Sequence, residues 1–270
     1  MLGRVEDLEA AAAKGSTAGI PMLYPWANRL AEPSYRVLGQ EVLIDLSSPI
    51  LHLDEHGLPM HGVPWPFLQW LVTEAREDLV AARLEWSANE LLAIFPFRHR
   101  VDLVARIQPD GLTLETTVVA SSDGPVPVSF GFHPYLRLPE LARANWQLDL
   151  PAMRKLVLDE RGIPASDEEY FGGFNAPLGD SSFDSGFALM DERASFAVSG
   201  AGCRLSVDLL EGYRYMQVFA PKDQDYVALE PMTAPTNALV SGRGLRLLKP
   251  NERLRAAFKI CIDETSRSIK

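Results

Sequence analysis

The stretch R-H-R-V-D-L-V-A-R-I (residues 98–107), followed closely by L-T-L-E-T-T-V-V-A (residues 112–120), decides the fold. In both arms apolar and polar side chains alternate over much of the length, which is the period of a half-buried strand. Between them lies Pro109-Asp110-Gly111, a turn signal whose glycine can adopt positive φ. The pair predicts an antiparallel hairpin. Working outward, similar short segments recur at residues 41–46, 69–75, 79–86, 204–210, 215–220 and 253–260. Glycine, proline, asparagine or aspartate separates most of them. Short strands with regular turn signals argue for a sandwich or barrel rather than βαβ units.

Helix candidates are few. Residues 5–14 have a helical composition, whereas Pro231, Pro235 and Gly242 leave little room for a helix around residues 236–240. The 20 prolines and 19 glycines are dispersed, with no linker-like run and no repeat. The expectation is therefore an all-β chain, with residues 1–270 forming a single large antiparallel domain. At 47% hydrophobic and 23% charged residues, the chain can build a core of that size.

Charge excludes some functions. Lys and Arg total 26 against 36 Asp and Glu, a net charge of −10, so no broad basic face can follow a phosphate backbone. Two cysteines, Cys203 and Cys261, cannot form a disulfide framework or a four-cysteine zinc site. They are expected to be reduced and buried, as small apolar residues of a cytosolic chain. The first residues carry Glu6, Asp7 and Glu9 rather than the basic start of a signal peptide. No apolar run approaches the ~18 residues of a membrane span. A soluble, cytoplasmic protein is expected, with neither nucleic acid nor membrane as partner.

Five histidines can be weighed singly. The cluster H-L-D-E-H-G-L-P-M-H (residues 52–61) invites a metal reading, since His52 and His56 are four apart. Gly57 and Pro59 argue against the continuous helix that such spacing needs, and H-E-x-x-H is absent, so a loop with one functional histidine is preferred to a metal site. His99, between Arg98 and Arg100 on a strand, reads as solvated or stacking. His133 ends the apolar run V-P-V-S-F-G-F (residues 126–132) and precedes Pro134, which restricts it to extended geometry. Imidazole titrates near ~6.5 and can donate a proton and be recharged at neutral pH. A histidine that only shapes the turn is the competing account. In D-Y-V-A-L-E-P, Glu230 lies at the end of an apolar strand (residues 226–229), where a carboxylate is either an exposed cap or a base aimed into a cleft. Arg29 follows Tyr24 and Trp26, and aromatic faces beside a guanidinium suit a polyhydroxylated ring.

Taken in order, P-W-A-N-R-L (residues 25–30), L-P-M-H-G-V-P-W (58–65), G-F-H-P-Y-L (131–136), F-D-S-G-F-A-L (183–189) and L-E-P-M-T-A-P-T-N-A-L (229–239) resemble the aldose 1-epimerase, or galactose mutarotase, family. The likeness runs from about Gly19 to the C-terminus. It implies a β-supersandwich. Position by position, His133 resembles the family's general acid and Glu230 its general base, and His61 resembles a second active-site histidine near the sugar ring oxygen. Arg29 and Asp184 resemble residues that bind sugar oxygens, and Trp26 and Tyr135 complete the expected substrate-binding set. The lead of residues 1–18 is shorter than such proteins usually have, and the late motif lacks a glutamine found in well-known galactose mutarotases.

The chemistry suits these groups on its own terms. Exchanging α and β anomers requires a base to take the anomeric hydroxyl proton while an acid protonates the ring oxygen. Closure reverses both transfers, so one acid–base pair resets itself without cofactor or metal. The expectation is an isomerase acting on a free aldohexose, a small-molecule partner, in a monomer or weak homodimer. A hexose-6-phosphate 1-epimerase, which would need a cationic pocket, and a non-catalytic sugar-binding or sensing protein are the alternatives.

Overall fold

The computed structural model describes residues 19–138 and 141–264. The hairpin read first is central to it. His99–Gln108 pairs antiparallel with Gly111–Ala120 from His99↔Ala120 to Gln108↔Gly111. Gly111 closes the turn at φ +150°, and a Cβ there would collide with the carbonyl oxygen of Ile260. Alternate residues Leu114, Thr116, Val118 and Ala120 are buried, as the period-two pattern requires.

Two antiparallel sheets carry the fold. Nine strands run in the order Phe174–Pro177, Gln147–Leu150, Ala194–Gly200, Cys203–Glu211, Arg253–Glu264, Gly111–Ala120, His99–Gln108, Leu79–Trp86 and Leu71–Arg76. The other sheet runs Met22–Leu23, Gly131–Phe132, Val227–Met232, Tyr215–Ala220, Phe183–Ala188, Met153–Leu158 and Pro164–Phe171, with Tyr135–Leu136 also pairing to Val227–Met232. Their facing side chains form the core. Phe258 of the first sheet meets Phe132 of the second at 5.2 Å between ring centroids. Truncating such a fully buried phenylalanine to alanine costs about 3–5 kcal/mol.

Several details differ from the sequence reading. Instead of one strand at residues 41–46, a hairpin forms from Ser34–Val37 and Gln40–Leu43. A one-turn helix, Ala238–Ser241, fits where none was expected, because Pro235 precedes its first turn and Gly242, at φ +73°, ends it. Asn89–Ile94 is a second short helix, too brief for its periodicity to be read. Cys203 and Cys261 are free but only half-buried; Cys261 donates to Asp208 at 3.2 Å. The helix candidate at residues 5–14 and the short lead at 1–18 lie outside the described residues. Among the described residues no helix is long and apolar enough to cross a membrane.

Candidate active site

Glu230 lies within the strand Val227–Met232, not at its end, because Pro231 is accommodated and the ladder continues to Met232. Its cross-strand neighbour is Gln217. The residue is 1% exposed, and Oε1 lies 3.1 Å from Nε2 of His133. Oε2 is buried with no hydrogen-bond partner among the described residues. Burial pushes the Glu230 carboxyl well above the usual carboxylate range; the negative charge of Asp184 adds to this and Arg29 opposes it.

His133 leaves the strand Gly131–Phe132 with its main-chain N–H bound to the carbonyl of Pro21 at 3.0 Å. The imidazole rests on Tyr135 at 4.3 Å between centroids, and Tyr226 meets the edge of Tyr135 at 5.1 Å. Tyr135 is thus buried against the histidine ring. His61 stands edge-on to His133 at 6.0 Å. Burial, reinforced by His133, His52 and Arg29, holds the His61 pKa well below that of free imidazole. The neighbouring Gly62 is required, since a Cβ there would run into the main-chain carbonyl of Tyr24.

Arg29 is anchored rather than free. Its Nε donates to Asp54 at 2.6 Å and Nη2 to Glu55 at 3.4 Å. Burial raises the Asp54 carboxyl, but bonds from Leu58, Arg29 and His56 together outweigh it, so its pKa is lowered. Asp184, on Phe183–Ala188, accepts from Gln217 Nε2 at 2.6 Å. Both Arg29 and Asp184 are close enough for their charges to act on Glu230. Trp26 is 0% exposed and packs into the hydrophobic core, with its Nε1 lacking a hydrogen-bond partner among the described residues.

Two residues of this neighbourhood escape the sequence reading. Gln217 is a buried amide in the otherwise apolar run Y-M-Q-V-F-A (residues 215–220), a signal that could have found it. Asn28 donates its main-chain N–H to Nδ1 of His61 at 3.2 Å, a contact that no side-chain pattern reveals. Neither His52 nor His56 joins a metal-binding set; among the described residues no three His, Cys, Asp or Glu side chains gather to hold a metal ion.

The fold is shared with solved structures. A galactose mutarotase-like protein of Clostridium acetobutylicum superposes with a TM-score of 0.80 at 20% identity, over 97% of this chain and 86% of that one. Galactose 1-epimerase of Lactobacillus acidophilus NCFM does so at 0.73 and 15% identity, over 98% and 86%. At such identities the likeness is one of fold, and it defines the class: a galactose mutarotase-like β-supersandwich. A sequence model of the aldose 1-epimerase family matches residues 5–261, and the chain belongs to that family. The uncharacterized protein YihR of Escherichia coli K12 is 26% identical over 249 residues, which is 88% of this chain and 77% of that protein.

Proposed function

We propose that the protein is an aldose 1-epimerase that interconverts the anomers of a free aldohexose, with Glu230 as base and His133 as acid. The observation that carries this is the buried Glu230–His133 pair, 3.1 Å apart, with one carboxylate oxygen left without a hydrogen-bond partner among the described residues. The anomeric hydroxyl oxygen and the ring oxygen share one carbon, so a base and an acid serving both must lie within a few ångströms of each other. Ionised Glu230 takes the anomeric hydroxyl proton. As the carbonyl forms, the bond from the anomeric carbon to the ring oxygen breaks, and that oxygen takes a proton from His133. Rotation about the adjoining carbon–carbon bond presents the other face of the carbonyl. The ring oxygen then attacks it, returning its proton to His133 while the new hydroxyl recovers one from Glu230. Each positioned proton transfer is worth typically ~10²–10⁴ in rate.

A pair confined to binding would have no need of a carboxylate raised by burial beside an imidazole. Arg29, whose charge acts on Glu230, is already paired with Asp54 and Glu55, which favours a sugar without a phosphate. Polarimetry on freshly dissolved α-D-glucose, α-D-galactose and glucose 6-phosphate tests the reading. Accelerated mutarotation of a free sugar that disappears in Glu230→Gln supports it. Preference for the phosphate ester, or sugar binding without acceleration, replaces it with one of the alternatives.

A further inference from the structure

Two imidazoles, His133 buried and His61 half-buried, stand edge to face at the site, and ring chemistry alone would let either carry the transferred proton. The main chain around His61 decides between them. The N–H of Asn28 points at Nδ1 of His61 at 3.2 Å, and the N–H of His61 donates in return to the carbonyl of Asn28 at 2.9 Å. Both residues hold left-handed φ, +55° at Asn28 and +62° at His61, a region that asparagine and histidine enter more readily than most. The adjoining bridge Arg29↔Met60 and the bond from Met60 N to His52 O at 2.9 Å brace this reciprocal contact.

A main-chain N–H can only donate, so Nδ1 of His61 must present a lone pair. The proton of the neutral ring then sits on Nε2. Charging the ring would set two N–H groups head-on in a half-buried place, beside His133, His52 and Arg29, which add positive charge whenever they carry it. We infer that the Asn28 main-chain amide locks His61 as its Nε2–H tautomer, a neutral donor to a sugar oxygen, leaving His133 as the one imidazole that transfers a proton. Asn28 is a positioning residue in this arrangement. The identity of the oxygen rests on the mutarotase reading; the tautomer does not.

Long-range proton–nitrogen correlation spectra of the full chain labelled with [15N]histidine test the tautomer. His61 is assigned by its disappearance in His61→Asn or, where that variant fails to fold, by elimination with single variants of the other four histidines. The expected result is an unprotonated Nδ1 and a protonated Nε2, unchanged between about pH 8 and about pH 5. A proton on Nδ1, or charging with a midpoint near ~6.5, overturns the inference. In the activity arm, His61→Gln should lower kcat/KM by roughly 10²-fold, as loss of one aligned donor does, while keeping the basic limb of the pH profile. Loss of that limb would show His61 to be the acid. A wild type without mutarotase activity would end the proposed function, yet the spectra would still decide the tautomer.

Discussion

The Glu230–His133 pair and the Tyr24–His99 pair are both buried polar couples, built to opposite rules. At the second, both ring nitrogens of the histidine are satisfied. The Tyr24 hydroxyl donates to Nε2 of His99, and Nδ1–H donates to the carbonyl of Phe97 at 2.6 Å. The ring stacks on Trp86 at 5.5 Å and 17°, and burial holds its pKa at about 4 against the opposing bond to Phe97. That arrangement belongs to the core. At the first pair, burial raises the carboxyl and Oε2 has no partner among the described residues. A satisfied bond contributes about 0.5–1.5 kcal/mol, while a buried unsatisfied group costs about 1–3 kcal/mol. The contrast separates a histidine whose two ring nitrogens are satisfied from one set beside an unsatisfied carboxylate oxygen, a distinction that burial alone does not make.

The largest effect expected is at Glu230. Glu230→Gln should reduce mutarotation by ~10²–10⁴ while leaving the melting temperature equal or higher. The sign follows from linkage. The folded pKa of Glu230 is raised, so its contribution to stability is fully present below the unfolded value of ~4.3 and is lost as pH rises through the folded one. The advantage of the glutamine variant should therefore grow with pH across that window, as thermal melts at several pH values would show. A variant that is both active and less stable would erase the contrast drawn above.

Next in size is the pH dependence. The kcat/KM profile should be bell-shaped, with its acid limb above the ~4.3 of an ordinary glutamate because the carboxyl is raised. Removing the charge of its neighbour in Asp184→Asn should shift that limb to lower pH and raise KM, since Asp184 is one cause of the elevation. An acid limb that stays in place in this variant would mean that Glu230 does not set it.

The smallest effect on catalysis is expected at the core pair. Tyr24→Phe leaves Nε2 of His99 without its donor and should cost about 1–3 kcal/mol, with both limbs of the rate profile in place. Melting should fall by about 2–4 °C per kcal/mol. His99 also gives the opposite pH sign to Glu230. Its folded pKa is depressed, so its stability is present above ~6.5 and lost as pH falls toward about 4. His99→Gln should flatten that acid-side loss, measured by denaturant titration across the same range.

Much of the sheet structure is legible in the chain. The strands Leu79–Trp86 and Tyr215–Ala220 begin and end where the apolar segments and the turn residues around them place them, because strand-forming side chains and turn chemistry act locally. Motif reading is less secure about burial. Trp26 and Tyr135 look alike as aromatic neighbours of the site residues, yet one fills the core and the other underlies His133. Neither composition nor spacing distinguishes these fates, since both depend on what packs against the segment from distant strands.

By itself the sequence determined the all-β class, the hairpin at residues 98–120 and the residue types able to perform acid–base chemistry. These follow from side-chain period, turn chemistry and functional groups, which are properties of neighbours along the chain. Only the tertiary structure decided that Glu230 sits inside its strand opposite Gln217, that its carboxylate meets His133, and that the Asn28 main-chain N–H meets Nδ1 of His61. Those contacts join residues far apart in the chain, and their energies come from burial and cross-strand packing that no local pattern encodes.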